Sequence, residues 1–118
     1  MVAWLARSLP PSDVAVLSRP AIRELMVRNA RRPFAATAAR ACVQDFTLEI
    51  RPWGFALEDI KMHVHVWHGE ADRNVPVGNG AYVAATVHNA TFHRLPEEGH
   101  ALFHDHFAEL LDGVTEDS

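Results

Sequence analysis

Two short runs of strand-forming residues, separated by a segment long enough for one helix, limit what this chain can fold into more than any other feature. "HVHVW" at residues 63–67 alternates with period two, so Val64 and Val66 share a face, and "TFHRL" at residues 91–95 has the same strand character. Between them Pro76 permits a helix start, and Ala81, Tyr82, Ala85 and Val87 form a modest helix until Asn89 interrupts it. Two strands joined through a helix are parallel with a right-handed crossover, and a parallel sheet is normally covered on both faces. This half of the chain therefore reads as a piece of an α/β sheet. After Gly99, residues Phe103, Phe107, Leu110 and Leu111 recur at i, i+4, i+7 and i+8, which predicts a closing amphipathic helix ending near Gly113. A two-stranded parallel piece leaves two edges unpaired and is too small to be stable alone.

The first half reads as short helices broken by prolines. Ser12 is expected to cap a brief turn through Leu17, and Pro20 sits where a helix start tolerates it, with Ile22, Leu25 and Met26 on one face. Pro33 ends that segment. A second amphipathic helix is expected over residues 34–46, with Ala38, Ala41, Cys42 and Phe46 inward and Arg40 and Gln44 off that face. "RPWGF" at residues 51–55 is punctuation, in which Trp53 and Phe55 are expected to anchor a loop on the core. There is no internal repeat and no low-complexity segment.

Composition removes several function classes. A chain of 118 residues with 48% hydrophobic content is the size and make-up of about one small globular domain. A formal charge of −4, with no Lys and Arg cluster interleaved with aromatics, offers nucleic acid no electrostatic footprint. The apolar stretches fall far short of the ~20 residues a membrane span needs. Residues 1–9 lack the charged start and cleavage region of a signal peptide, so a cytoplasmic location is expected. Cys42 is the single cysteine, which leaves no intrachain disulfide and no thiolate cluster for zinc.

The chemistry-bearing residues sit just beyond the two strands. Asp72 lies five residues past Trp67, and His100 lies five residues past Leu95. Ligand sites in open α/β sheets form outside the carboxyl ends of the strands, so both residues are expected at one edge. A carboxylate there can accept the Nδ1 proton of the imidazole, fix its tautomer and stabilise the imidazolium, leaving Nε2 as general base toward a nucleophile. The plainer role for Asp72 is an Asx-type turn after Gly69. His63, His65 and His68 form an H-x-H-x-x-H pattern of the kind found in binuclear metallohydrolases, and His100, His104 and His106 cluster near the end. Trp67 stands where such a motif carries a metal-binding aspartate, and His63 and His65 belong to the strand, so no metal is expected.

Residues 59–111, "DIKMHVHVWHGEADRNVPVGNGAYVAATVHNATFHRLPEEGHALFHDHFAELL", resemble the C-terminal third of the α/β-hydrolase fold: penultimate strand, G-x-x-D turn, helix, last strand, G-H loop and closing helix. The resemblance spans roughly residues 50–113. It implies that Asp72 is the triad acid and His100 the triad base, in preference to the nearby Glu70 and Glu98. It also implies a fold class of α/β, with residues 50–118 as the C-terminal segment of a hydrolase core and residues 1–49 as a helical, cap-like segment. The family's G-x-S-x-G elbow is not matched. Ser8, Ser12, Ser18 and Ser118 lack flanking glycines, and Cys42 in "RACVQ" has a helical context and reads as a small core residue.

The expected function is therefore that of the C-terminal portion of a hydrolase that cleaves a small ester, lactone or amide and supplies acid and base but not nucleophile. A carboxylate nucleophile, as in family members that hydrolyse epoxides or haloalkanes, stays open. Val75 and Leu102, next to the acid and the base, are the expected substrate contacts. No cofactor is implied; the partner is a small-molecule substrate, with neither nucleic acid nor membrane, and the isolated chain is expected to self-associate. The alternative is a non-catalytic α/β module that binds through an exposed strand edge.

Overall fold

A computed structural model describes residues 8–31 and 38–116. Among these residues the chain is α/β, with a two-stranded parallel sheet and five α-helices: α1 (Pro11–Ser18), α2 (Pro20–Arg31), α3 (Ala38–Glu49), β1 (Val64–Gly69), α4 (Val77–Thr86), β2 (Ala90–Leu95) and α5 (Phe107–Glu116). Short 3-10 turns occupy Leu57–Asp59 and Leu102–His104. No helix among the described residues is long and apolar enough to cross a membrane.

The chain divides into two compact units, one built from residues up to Leu17 together with those from Ala56 onward, the other from Ser18–Phe55. The helix α1 thus groups with the strands. In the second unit, α2 starts at Pro20 as its sequence suggests, and α3 runs on to Glu49, past the end expected at Phe46. Pro33 and the expected start of that helix at Phe34 lie outside the described residues. Cys42 is exposed and Phe46 is 68% exposed, contrary to the inward face expected for them. Trp53 and Phe55 pack on each other, with ring centroids 5.9 Å apart around Gly54 at φ 83°, and both stay exposed instead of anchoring on a core.

In the sheet unit, β1 and β2 pair in parallel register from Val64 opposite Ala90 to Gly69 opposite Leu95. Alternation sends His65 and Trp67 to one face and Val64, Val66 and His68 to the other. A Cβ added at Gly80 of α4 would lie 2.7 Å from His68 Nδ1, whereas one added at Gly113 of α5 would lie 3.6 Å from the His65 ring, so the two helices cover opposite faces. The strands are half-buried apart from buried Gly69 and exposed Thr91 and Arg94, and no third strand pairs with either of them among the described residues. Among the described residues the buried hydrophobic side chains are Val16, Val87 and Leu102, a small core for this unit.

Two helix ends differ from their sequence expectation. Helix α1 begins at Pro11, where the Val14 N–H donates to the Pro10 carbonyl at 3.1 Å, and Ser12 Oγ, instead of capping it, is buried without a hydrogen-bond partner among the described residues. The closing helix starts at Phe107, after the 3-10 turn that holds Phe103, and continues through Gly113 to Glu116. Phe103 and Phe107 still meet edge to face at 5.6 Å, so the apolar spacing marks a real contact across a break in the helix.

Candidate active site

The loops that follow β1 and β2 are held together by main chain before any side chain takes part. Glu70 N–H donates to the Leu95 carbonyl and Ala71 N–H to the Glu98 carbonyl, both at 2.9 Å, which carries the pairing past the strand ends. The approach is so close that a Cβ at Gly69 would sit 2.2 Å from Glu98 O. Only glycine fits there.

From these loops Asp72 and His100 converge as expected, with His100 Nδ1 2.9 Å from Asp72 Oδ2. A carboxylate can only accept, so in the neutral ring Nδ1 carries the proton and Nε2 keeps its lone pair. Asp72 Oδ1 accepts from the Asn74 N–H at 2.7 Å and the Val75 N–H at 3.0 Å, which is the Asx turn. The turn fixes one oxygen of Asp72 and leaves the other facing the imidazole. The Asp72 side chain is 5% exposed and the His100 side chain 54%, a buried carboxylate beneath an accessible imidazole.

Burial pushes the Asp72 carboxyl up, but the Val75 N–H, the His100 imidazole and the Asn74 N–H together bring it below its ordinary value. A carboxyl with a depressed folded-state pKa adds stability that is complete above its unfolded pKa of about 4 and is lost as pH falls through the folded value. Urea unfolding of the native chain and of Asp72→Asn is expected to show the native chain losing more stability as pH is lowered from 5 toward 3. Parallel pH profiles for the two chains would contradict this.

Val75 and Leu102 line the same pocket as the pair, together with Phe103 and Leu110, in a volume of about 290 Å3. No serine, threonine or cysteine side chain lines it among the described residues. His68, weighed at the sequence level as a metal ligand, instead donates from Nε2 to the Val75 carbonyl at 3.0 Å and stands 3.9 Å from Asp72 Oδ2. It steadies the acid loop.

His63, His65 and His93 form a separate layer on the opposite face. His65 Nδ1 and His93 Nε2 share a hydrogen bond at 2.8 Å, Trp67 stacks on His93 at 4.1 Å between centroids, and His63 Nε2 meets Thr91 Oγ1 at 2.9 Å. Burial, then the neighbouring His65 and His63, hold His93 below the ordinary imidazole pKa. His106 is pushed the other way, chiefly by its 2.6 Å bond to Glu109, with Glu98 adding to the effect. Among the described residues no three His, Cys, Asp or Glu side chains converge as a metal site.

The sequence reading missed Asp13. This first-turn residue of α1 is 2% exposed, and its carboxylate accepts from the His100 and Ala101 main-chain N–H groups at 3.1 and 2.8 Å. Nothing in "PPSDVAV" announces a partner 87 residues away beyond an acid in a helix's first turn.

No protein-family model matches this chain, and neither the curated proteins nor the solved structures contain a match to it.

Proposed function

We propose that this chain supplies the acid and the general base of a hydrolase of the α/β-hydrolase type. The observation that carries the reading is the Asp72–His100 pair at 2.9 Å, built on two loops at the carboxyl ends of adjacent parallel strands. His100 Nε2 removes the proton of a nucleophilic hydroxyl brought by a stretch of polypeptide outside the described residues. Asp72 stabilises the imidazolium that results, and His100 then passes the proton to the leaving group and activates water against the acyl intermediate. A pocket of about 290 Å3 with apolar walls from Val75, Leu102 and Phe103 suits a small substrate, so the bond cleaved is that of a small ester, lactone or amide. No cofactor takes part in these steps. The two open edges of the sheet are where strands bearing the nucleophile would pair.

The test is hydrolysis of a short-chain p-nitrophenyl ester by the native chain, Asp72→Asn and His100→Ala, with fluorophosphonate labelling alongside. The expected result is background turnover in all three and no labelled serine, because acid and base without nucleophile and oxyanion hole give no catalytic unit. Turnover by the native chain that both variants lose would put the nucleophile inside this chain and overturn the division of labour proposed.

A further inference from the structure

We propose that Asp13 is a positioning residue for the general base: its carboxylate grips the His100 turn by the main chain, so that the imidazole meets Asp72. The inference rests on the acid–base reading above and adds the element that makes it geometrically possible. His100 is then held by two carboxylates, Asp72 on the ring and Asp13 on the backbone.

Three observations carry it. Asp13 is 2% exposed, and a carboxylate withdrawn from water persists only where its oxygens are satisfied. Its two oxygens are satisfied by consecutive amides, Oδ2 by the His100 N–H at 3.1 Å and Oδ1 by the Ala101 N–H at 2.8 Å. These bonds flank the His100 Cα on both sides and so fix the direction in which its side chain leaves the backbone. The third is Gly99, where a Cβ would lie 2.4 Å from Asp13 Oδ1 and 2.5 Å from Oδ2, so the turn is shaped around this carboxylate. Asp72 is anchored independently, through Asn74 and Val75. The main-chain bonds from Glu70 and Ala71 join the two loops only as far as Glu98; beyond it the direction of His100 rests on the Asp13 grip, and a displacement of about 1 Å at the 2.9 Å contact costs on the order of 100-fold in rate.

An asparagine at position 13 keeps the shape but has one acceptor oxygen, so its NH2 group faces one of the two amide donors. The experiment is NMR on the isotope-labelled native chain, Asp13→Asn and Asp72→Asn. In the native chain, scalar coupling across the hydrogen bonds from the His100 and Ala101 nitrogens to the Asp13 carboxyl carbon detects the grip without any substitution. Asp13→Asn is expected to speed exchange of these two amides at least tenfold and to shift the His100 ring from the Nδ1–H tautomer toward a mixture. Asp72→Asn is expected to disturb the tautomer while leaving the two amides protected. Absence of the native coupling, or an Asp13→Asn ring that keeps the native tautomer after its amides are freed, would overturn the positioning role. A tautomer indifferent to Asp72→Asn would sink the acid–base reading itself, and the positioning role with it. That outcome is distinct from failure of the grip alone, in which Asp72 still governs the ring and Asp13 does not.

Discussion

In the hydrolase proposed above, this chain together with a polypeptide that brings the nucleophile, replacing His100 with alanine is expected to lower kcat by at least about 10⁴-fold. Asp72→Asn is expected to lower it by about as much, through a different step. Without His100 there is no base. With asparagine at 72, an NH2 group can donate to Nδ1, which favours the tautomer that puts the proton on Nε2 and blocks proton abstraction. KM should move little in either variant, since neither side chain supplies the apolar wall of the pocket. The pair should also be non-additive, with the double variant close to His100→Ala alone. Steady-state kinetics of the three variants check this, and additive losses or a tenfold effect only would mean that the two residues do not act as one unit.

The second large effect concerns the isolated chain. Phe103, Phe107, Leu111, Val114 and Tyr82 are exposed in the sheet unit, and Val43, Phe46, Leu48 and Ile50 in the helical one. Apolar surface of this extent marks an interaction surface or an aggregation liability. Both open edges of a two-stranded sheet add main-chain donors and acceptors that a further strand can pair. Sedimentation at increasing concentration is therefore expected to give a mass rising above the 13.1 kDa of one chain, and heating is expected to give a broad, poorly reversible transition. A concentration-independent monomer with one sharp, reversible transition would contradict the account, since it would mean that the small core of Val16, Val87 and Leu102 suffices.

What the sequence discloses here depends on the range of the interaction. The strands and α4 are legible because period-two alternation and flanking prolines and glycines act within a few residues. The Asp72–His100 pair is legible because topology does the long-range work: two parallel strands joined by one helix bring the loops after them to the same edge. The inward face assigned to Cys42 and Phe46 is not realised, because amphipathic spacing says which face is apolar and not what covers it. Ser12 is a good cap by composition, but the helix starts at Pro11, two positions earlier than a Ser12 cap would set it, and leaves the Ser12 hydroxyl inside. Phe103 keeps its place in the apolar series although the helix begins only at Phe107, because a 3-10 turn preserves the side-chain contact while breaking the helical backbone. Asp13 is illegible for the opposite reason to Asp72. No strand order or periodicity links the first turn of α1 to a loop 87 residues later; only the folded chain does.

The central claim is that Asp72 sets the protonation geometry of His100, and two-bond nitrogen–proton correlation spectra of the imidazole rings test it most directly. In the native chain at a pH where the ring is neutral, His100 is expected to carry its proton on Nδ1, and in Asp72→Asn to change to a mixture or to the Nε2–H form. The same tautomer pattern in both chains would contradict the pairing, and with it the hydrolase reading.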